Sequence, residues 1–176
     1  MRDKDKPVTD YSKPADEIDY ETFIVEESDN SRVLRWRHTV NTRAKAGQLA
    51  GNKGADGYIR IRYKGKRYLA HRILWYLEYG RWPEKEIDHI NGDTSDNRSC
   101  NLREVTSSQN MMNRSAPSTN TSGVKGVYWH RGGGKWQVQL RVNGKPTTFG
   151  LHSDLELAEL IHKVAEEKYH GEYRRV

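Results

Sequence analysis

Apolar residues along this chain come in short runs, and the spacing inside each run names an element. Residues 58–63, YIRIRY, alternate apolar with basic; KGK then marks a turn and RYLA resumes. That pattern predicts a β-hairpin from Tyr58 to Leu69. In HRILWYLEYG, Ile73, Leu74, Leu77 and Tyr76 share one helical face, and Gly80 and Pro83 end the helix. IDHI reads as a short strand, Asn91-Gly92-Asp93 as a turn and LREV as the returning strand. Thr106 or Ser107 then caps a helix carrying Gln109 to Arg114. The order here is strand, loop, strand, helix.

The flanks are simpler. Residues 1–17 are a polar tail. YETFIV, the acidic turn EESDNS and RVLRWRH follow as an apolar segment, a turn and a strand. Residues 42–57, TRAKAGQLAGNKGADG, have the composition of a loop whose lysines and arginine would reach phosphate. Residues 115–121 are small, polar and interrupted by Pro117, as in a linker. GVKGVYWH, GGG and KWQVQLRVNGKPTTFG then give three strands, with Asn143-Gly144 as the second turn. Ser153-Asp154 open a last helix, where Leu157, Leu160, Ile161, Val164 and Ala165 recur at three and four. The last segment therefore predicts a three-stranded antiparallel sheet packed on one helix.

Composition narrows the class. Counted with Gly and without Tyr, apolar residues make up roughly 37% of the 176, below the roughly 45–50% of an average globular chain. One large core is therefore not expected. Five Trp and ten Tyr argue against a solvated chain and for small modules that use aromatics as core and contact surface. The single cysteine, Cys100, excludes an internal disulfide and a multi-cysteine metal site. The polar first residues are no secretory signal, and no run of about 18 apolar residues offers a membrane span. The expectation is a soluble, cytoplasmic protein without membrane or small-molecule cofactor. Charge is uneven. Residues 1–30 hold 4 basic and 10 acidic side chains, and the rest 26 basic and 14 acidic. A net +12 body behind a −6 leader points to a polyanionic partner.

Chemistry concentrates in the strand–loop–strand–helix segment, in Asp88-His89 with Asn97, Asn101 and Asn110. Neighbours on a strand point to opposite sides, so a carboxylate on a hard cation and an imidazole facing water obtain separate directions. Asn110, on the following helix, supplies a carbonyl oxygen. Carboxylate plus amide oxygen, with no thiolate, suits Mg²⁺ or Mn²⁺ better than Zn²⁺.

The string HR…IDHINGD…N…NLREVT…QN resembles an HNH endonuclease of the phage and intron-homing type, with a ββα-metal core, over residues 58–114. The upstream RVLRWR…AGQLAG…GYIRIRYKGKRYLAHR also resembles the leader of such proteins. The resemblance implies Asp88 as metal ligand, His89 as general base, Asn101 as the brace that orients His89, and Asn110 as second ligand. One divalent cation, Mg²⁺ or Mn²⁺, is implied. The third motif position is Asn here, where many relatives have His. Implied too is in-line hydrolysis of a DNA phosphodiester to 5′-phosphate and 3′-hydroxyl. His71 and Arg72 open a helix, where packing and capping compete with contact to the scissile strand; Arg72 is the DNA-contact candidate.

On Trp136–Val142, Trp136, Val138, Leu140 and Val142 share one parity and Gln137, Gln139 and Arg141 the other. The apolar set would cover the helix, with Val127 and Trp129 joining it. Lys125, Tyr128, His130, Gln139 and Arg141 would form an open face fit for a major groove. Residues 121–174 resemble the Apetala-type domain of plant ethylene-response factors, also found attached to HNH homing nucleases. KGVYWH, KWQVQLR, FG and AEL…A…YHGEY carry the match. The family's contacts would fall on Lys125, Tyr128, His130, Arg131, Gln139, Arg141 and Thr148.

The expected fold is α+β: an acidic leader (1–19), a β-rich DNA-contacting region (20–57), an HNH nuclease domain (58–114), a linker (115–121) and an Apetala-type domain (122–176). The expected function is site-specific, metal-dependent cutting of double-stranded DNA by a monomer or homodimer, in the host cytoplasm if phage-encoded. A non-catalytic DNA-binding regulator with a decayed nuclease core is the alternative. An RNA-directed protein fits the charge but lacks an aromatic RNA-binding pattern.

Overall fold

The YIRIRY run forms the hairpin its alternation predicts. The computed structural model describes residues 19–174; all of the acidic leader but Asp19 lies outside the described residues. In chain order the elements are β1 (Phe23–Ser28), β2 (Ser31–Trp36), β3 (Asn52–Lys53), β4 (Ile59–Tyr63), β5 (Lys66–Leu69), α1 (Ala70–Tyr79), β6 (Glu86–His89) and β7 (Leu102–Val105). Then follow α2 (Ser107–Asn113), β8 (Val127–His130), β9 (Lys135–Val142), β10 (Lys145–His152) and α3 (Leu155–Tyr169). The architecture is α+β with small antiparallel sheets, ordered β1-β2, β3-β4-β5, β6-β7 and β10-β9-β8. Two compact units divide between Val105 and Thr106, so α2 counts with the second. Among the described residues no helix is long and apolar enough to cross a membrane.

In the first unit, β2 and β4 bury alternate residues, while β1 gives the core only Phe23. Phe23, Leu34, Trp36, Ile61 and Tyr63 close over Ala70, Ile73 and Leu74 of α1. Six consecutive residues, Ala70 to Trp75, are buried, so the first turns of α1 are enclosed all round rather than on one stripe. Gly80, at φ 67°, ends the helix in the left-handed conformation that glycine adopts without penalty. The 42–57 stretch is mostly loop, as its composition predicts, but it adds β3 on the edge of β4.

In the second unit, α3 packs on the sheet through a face other than the leucine stripe. Ala158 and Ala165 are buried with His162, and Ile161 and Leu155 half-buried. Leu157, Leu160 and Val164 are 48%, 57% and 55% exposed. The helix sets Ala158 against Val127 and Val138, with Leu155 and Ile161 packed at the margin of that cluster. Trp129 is exposed as well, standing edge-on to Trp136 at 4.9 Å instead of joining the core. Asp154 caps α3 by accepting from Leu157 N at 2.7 Å.

Candidate functional site

β6 ends on Asp88-His89, and β7 returns with Asp88 opposite Arg103 and His89 opposite Leu102. Ile87 and Leu102 pack with Trp75, which pins this hairpin to α1. Both Asp88 and His89 are buried. Asp88 Oδ2 accepts from Arg103 Nε at 2.9 Å, with Nη2 at 2.8 Å. Arg103 was not singled out from sequence, although pairing EIDH with LREV places it across from Asp88.

The loop between the strands is held by its own amides. Asn101 Oδ1 accepts from Asn91 N at 2.9 Å, and its Nδ2 donates to Asn91 Oδ1 at 3.0 Å and Asp96 O at 2.8 Å. Asn101 thus braces the loop, but the side chain touching His89 is Asn97. His89 Nε2 lies 3.0 Å from Asn97 Oδ1, and both are buried. An amide oxygen is an acceptor, so this contact selects the neutral tautomer protonated on Nε2. The orienting part expected of Asn101 therefore passes to Asn97, one of the asparagines of the original constellation. Arg98 clamps Asp96 at 2.7 Å and 2.8 Å, holding that carboxyl down at about 2. Thr94 Oγ1 donates to Asp56 O at 2.9 Å and Lys53 Nζ to Ser95 Oγ at 3.0 Å, tying the loop to residues 53–56.

Aromatic rings wall the imidazole on other sides. His71 stands perpendicular to His89, with centroids 5.1 Å apart. Tyr58 is 5.9 Å from His89 and 5.5 Å from His71. Burial lowers the His89 pKa below 6.5, against the opposing pull of the Asn97 bond and the Asp88, Asp93 and Asp96 charges. Burial, with the His89 and Arg72 charges, pushes His71 well below the same value. Both rings are therefore neutral at pH 7. Of the two readings for His71, packing is the one the geometry shows.

Arg72 needs correcting as a DNA contact. It is buried, its guanidinium donates to Pro83 O at 2.9 Å and Lys85 O at 3.1 Å, and it lies 5.2 Å from the Trp82 ring centre. A guanidinium spent on backbone carbonyls clamps the chain after α1. Arg72→Met keeps much of the stem and removes those bonds, so we expect a loss of about 2 kcal/mol in urea unfolding. DNA affinity and its salt dependence should not change.

In the second unit, Thr106 and Gln109 form a reciprocal capping box at the start of α2, which carries half-buried Asn110. The sheet register places Tyr128 opposite Gln137, and Gln139 opposite Thr148. With His130 and Arg141 these share the face opposite α3. Tyr128, His130, Arg141 and Thr148 are exposed, Gln139 is half-buried, and Arg131 is exposed in the following turn. Lys125 leaves this set. Its ammonium donates to Met112 O and stands 3.8 Å from Glu166, so it joins α2 to α3. α2 also flanks part of the face, where Met111, Tyr128, Gln139 and Arg141 line a groove of about 610 Å³.

A family model described as HNH endonuclease matches residues 68–112. Protein 3.8 of Escherichia phage T7 is 32% identical over 114 residues, which span 64% of this chain and 92% of that protein. No solved structure matches. The match to residues 68–112 takes in Asp88, His89, Asn97, Asn101 and Asn110, and the phage relative is covered nearly end to end. The chain therefore belongs to the family of phage protein 3.8 and carries an HNH endonuclease domain.

Proposed function

We propose that this protein is a metal-dependent, site-specific DNA endonuclease of the homing type, acting in the host cytoplasm. The observation that carries this reading is the buried His89 fixed by Asn97 beside Asp88 at the end of a short β-hairpin. With Nε2–H given to Asn97, Nδ1 is the basic nitrogen that takes a proton from the attacking water. His71 and Tyr58 keep the ring from turning. Asn101 holds the loop whose shape presents Asn97.

Asp88 and Asn110 would hold one Mg²⁺ or Mn²⁺. Both offer oxygen, and among the described residues no group of three His, Cys, Asp or Glu is placed to cage an ion. Few protein oxygens suit a hydrated hard cation that also binds phosphate. When bound, such an ion stabilises charge on the scissile phosphate and the leaving 3′ oxygen. The products would be 5′-phosphate and 3′-hydroxyl ends. We assign the second unit's sheet to an Apetala-type anchor, with Tyr128, His130, Arg131, Gln139, Arg141 and Thr148 toward double-stranded DNA. Tethering two DNA-binding parts raises avidity and lengthens the site read.

The test is phage or plasmid DNA incubated with the protein in Mg²⁺, Mn²⁺ or EDTA. We expect cutting with either cation and none in EDTA. Asp88→Asn, whose fold is checked by circular dichroism, should cut at least about tenfold more slowly. Cutting that persists in EDTA, or an Asp88→Asn protein as active as the parent, defeats the metal-dependent reading. DNA binding without cutting in any cation favours the regulator instead.

A further inference from the structure

The β4–β5 hairpin carries two features its fold does not need. Arg62 and Arg67 are directly opposed across the strands. Both are exposed, on the face away from Ile61 and Tyr63. Directly opposed like charges destabilise an antiparallel pair, and neither arginine has an acidic partner among the described residues. The turn between the strands is Lys64-Gly65, with φ of 46° and 79°. Two positive values in a two-residue turn favour Asn or Gly at the first position, and lysine is strained there. The same chain uses the favoured pair elsewhere: Asn143-Gly144 joins β9 to β10 with φ of 50° and 77°. The β4–β5 turn therefore keeps an exposed cation, 5.2 Å from the Tyr63 ring centre, at a position whose backbone favours Asn or Gly.

Both features resolve if a polyanion lies against the hairpin. We propose that Arg62, Lys64 and Arg67 form a phosphate-contacting surface for duplex DNA in the nuclease unit, additional to the sheet of the second unit. This rests on the endonuclease reading for its choice of polyanion. DNA phosphates relieve the Arg62–Arg67 repulsion, so the conflict is present in the free protein and removed in the complex. Exposed arginines and a lysine on a twisted ribbon track a backbone without reading bases. Their part is affinity and register along the duplex rather than sequence choice. Arg60, on the same face, is held instead by Asp56, to which Nη1 donates at 2.6 Å.

The proposal predicts opposite signs for folding and binding. The full chain, the double variant R62Q/R67Q and the single variant Lys64→Asn are compared in EDTA, so that nothing is cut. Fluorescence anisotropy with a labelled duplex follows affinity across KCl concentrations, and urea unfolding follows stability. The double variant should unfold at higher urea, bind about tenfold more weakly near 0.1 M salt, and flatten the log K against log salt slope by nearly 2. Lys64→Asn, which relieves the turn but gives up the contact with the Tyr63 ring, should flatten the slope by nearly 1. Variants that keep the parent's affinity and slope overturn the proposal, whatever their stability. If the parent cuts DNA in Mg²⁺ while the variants bind as it does, only the hairpin's part falls. A parent that neither binds nor cuts DNA overturns the endonuclease reading along with it.

Discussion

His89→Ala is expected to cut DNA about 10²–10⁴-fold more slowly than the parent while binding an intact duplex in EDTA equally well. The size is that of a lost general base. The separation from binding follows from burial, since a side chain enclosed by Asn97, His71 and Tyr58 gives little surface to the DNA backbone. The pH profile is a second check. A base works unprotonated, and burial sets the His89 pKa below 6.5. The acid limb of the parent's rate should therefore have its midpoint below 6.5, and the variant's residual rate should lack that limb. Folding shows the same sign. His71 and His89 are both harder to protonate in the fold than in the unfolded chain, where the value is 6.5. Stability is full above that pH and declines as pH falls below it, because the unfolded chain takes up the protons first. A variant cutting at the parent's rate, or a parent limb centred above 6.5, would remove His89 from the base role.

Much of this site can be read in the sequence because its elements are local. The IDHI and LREV strands are joined by one loop, and Asn91-Gly92 marks its turn. Thr106 with Gln109 signals the α2 start without any tertiary contact. The contacts that decide His89's state are not local. Asn97 and Asn101 are four apart in one polar loop, and only the folded loop shows which reaches the imidazole. Tyr58 is the residue just before β4, and His71 comes from α1. Arg72 reads as exposed because arginine usually is, yet the carbonyls of Pro83 and Lys85 give it a buried seat. On α3, periodicity picks the larger apolar side chains, whereas closeness to the sheet picks the smaller. The pattern identifies the helix but not the side that is covered.

Closeness between α3 and the sheet also governs the second large effect, expected for Gly126→Ala. Gly126 has φ 77°, and its carbonyl accepts from Gln139 N at 2.8 Å where β8 begins beside β9. A Cβ there would stand 2.6 Å from Gln139 O and run into the His162 ring. Neither neighbour can give way: one is strand backbone, and the other is buried under α3. Burial, helped by the Lys125 and His170 charges, holds His162 down at about 4, so it is a neutral ring at pH 7. The left-handed alanine costs about 1–2 kcal/mol and the overpacking about 1–3 kcal/mol more, or about 2–5 kcal/mol together. Gly123→Ala separates the two parts, because Gly123 has φ 75° with nothing within 4 Å of an added Cβ. It should lose only the backbone share. Urea unfolding followed by tryptophan fluorescence, where Trp129 and Trp136 report the sheet, should place Gly126→Ala far below Gly123→Ala. Duplex affinity should fall in Gly126→Ala, since the face of Tyr128, Gln139 and Arg141 is built on the strands it disturbs. Equal losses in the two variants would mean that α3 does not press on the sheet at Gly126. A destabilised Gly126→Ala that binds DNA like the parent would take the second unit out of DNA anchoring.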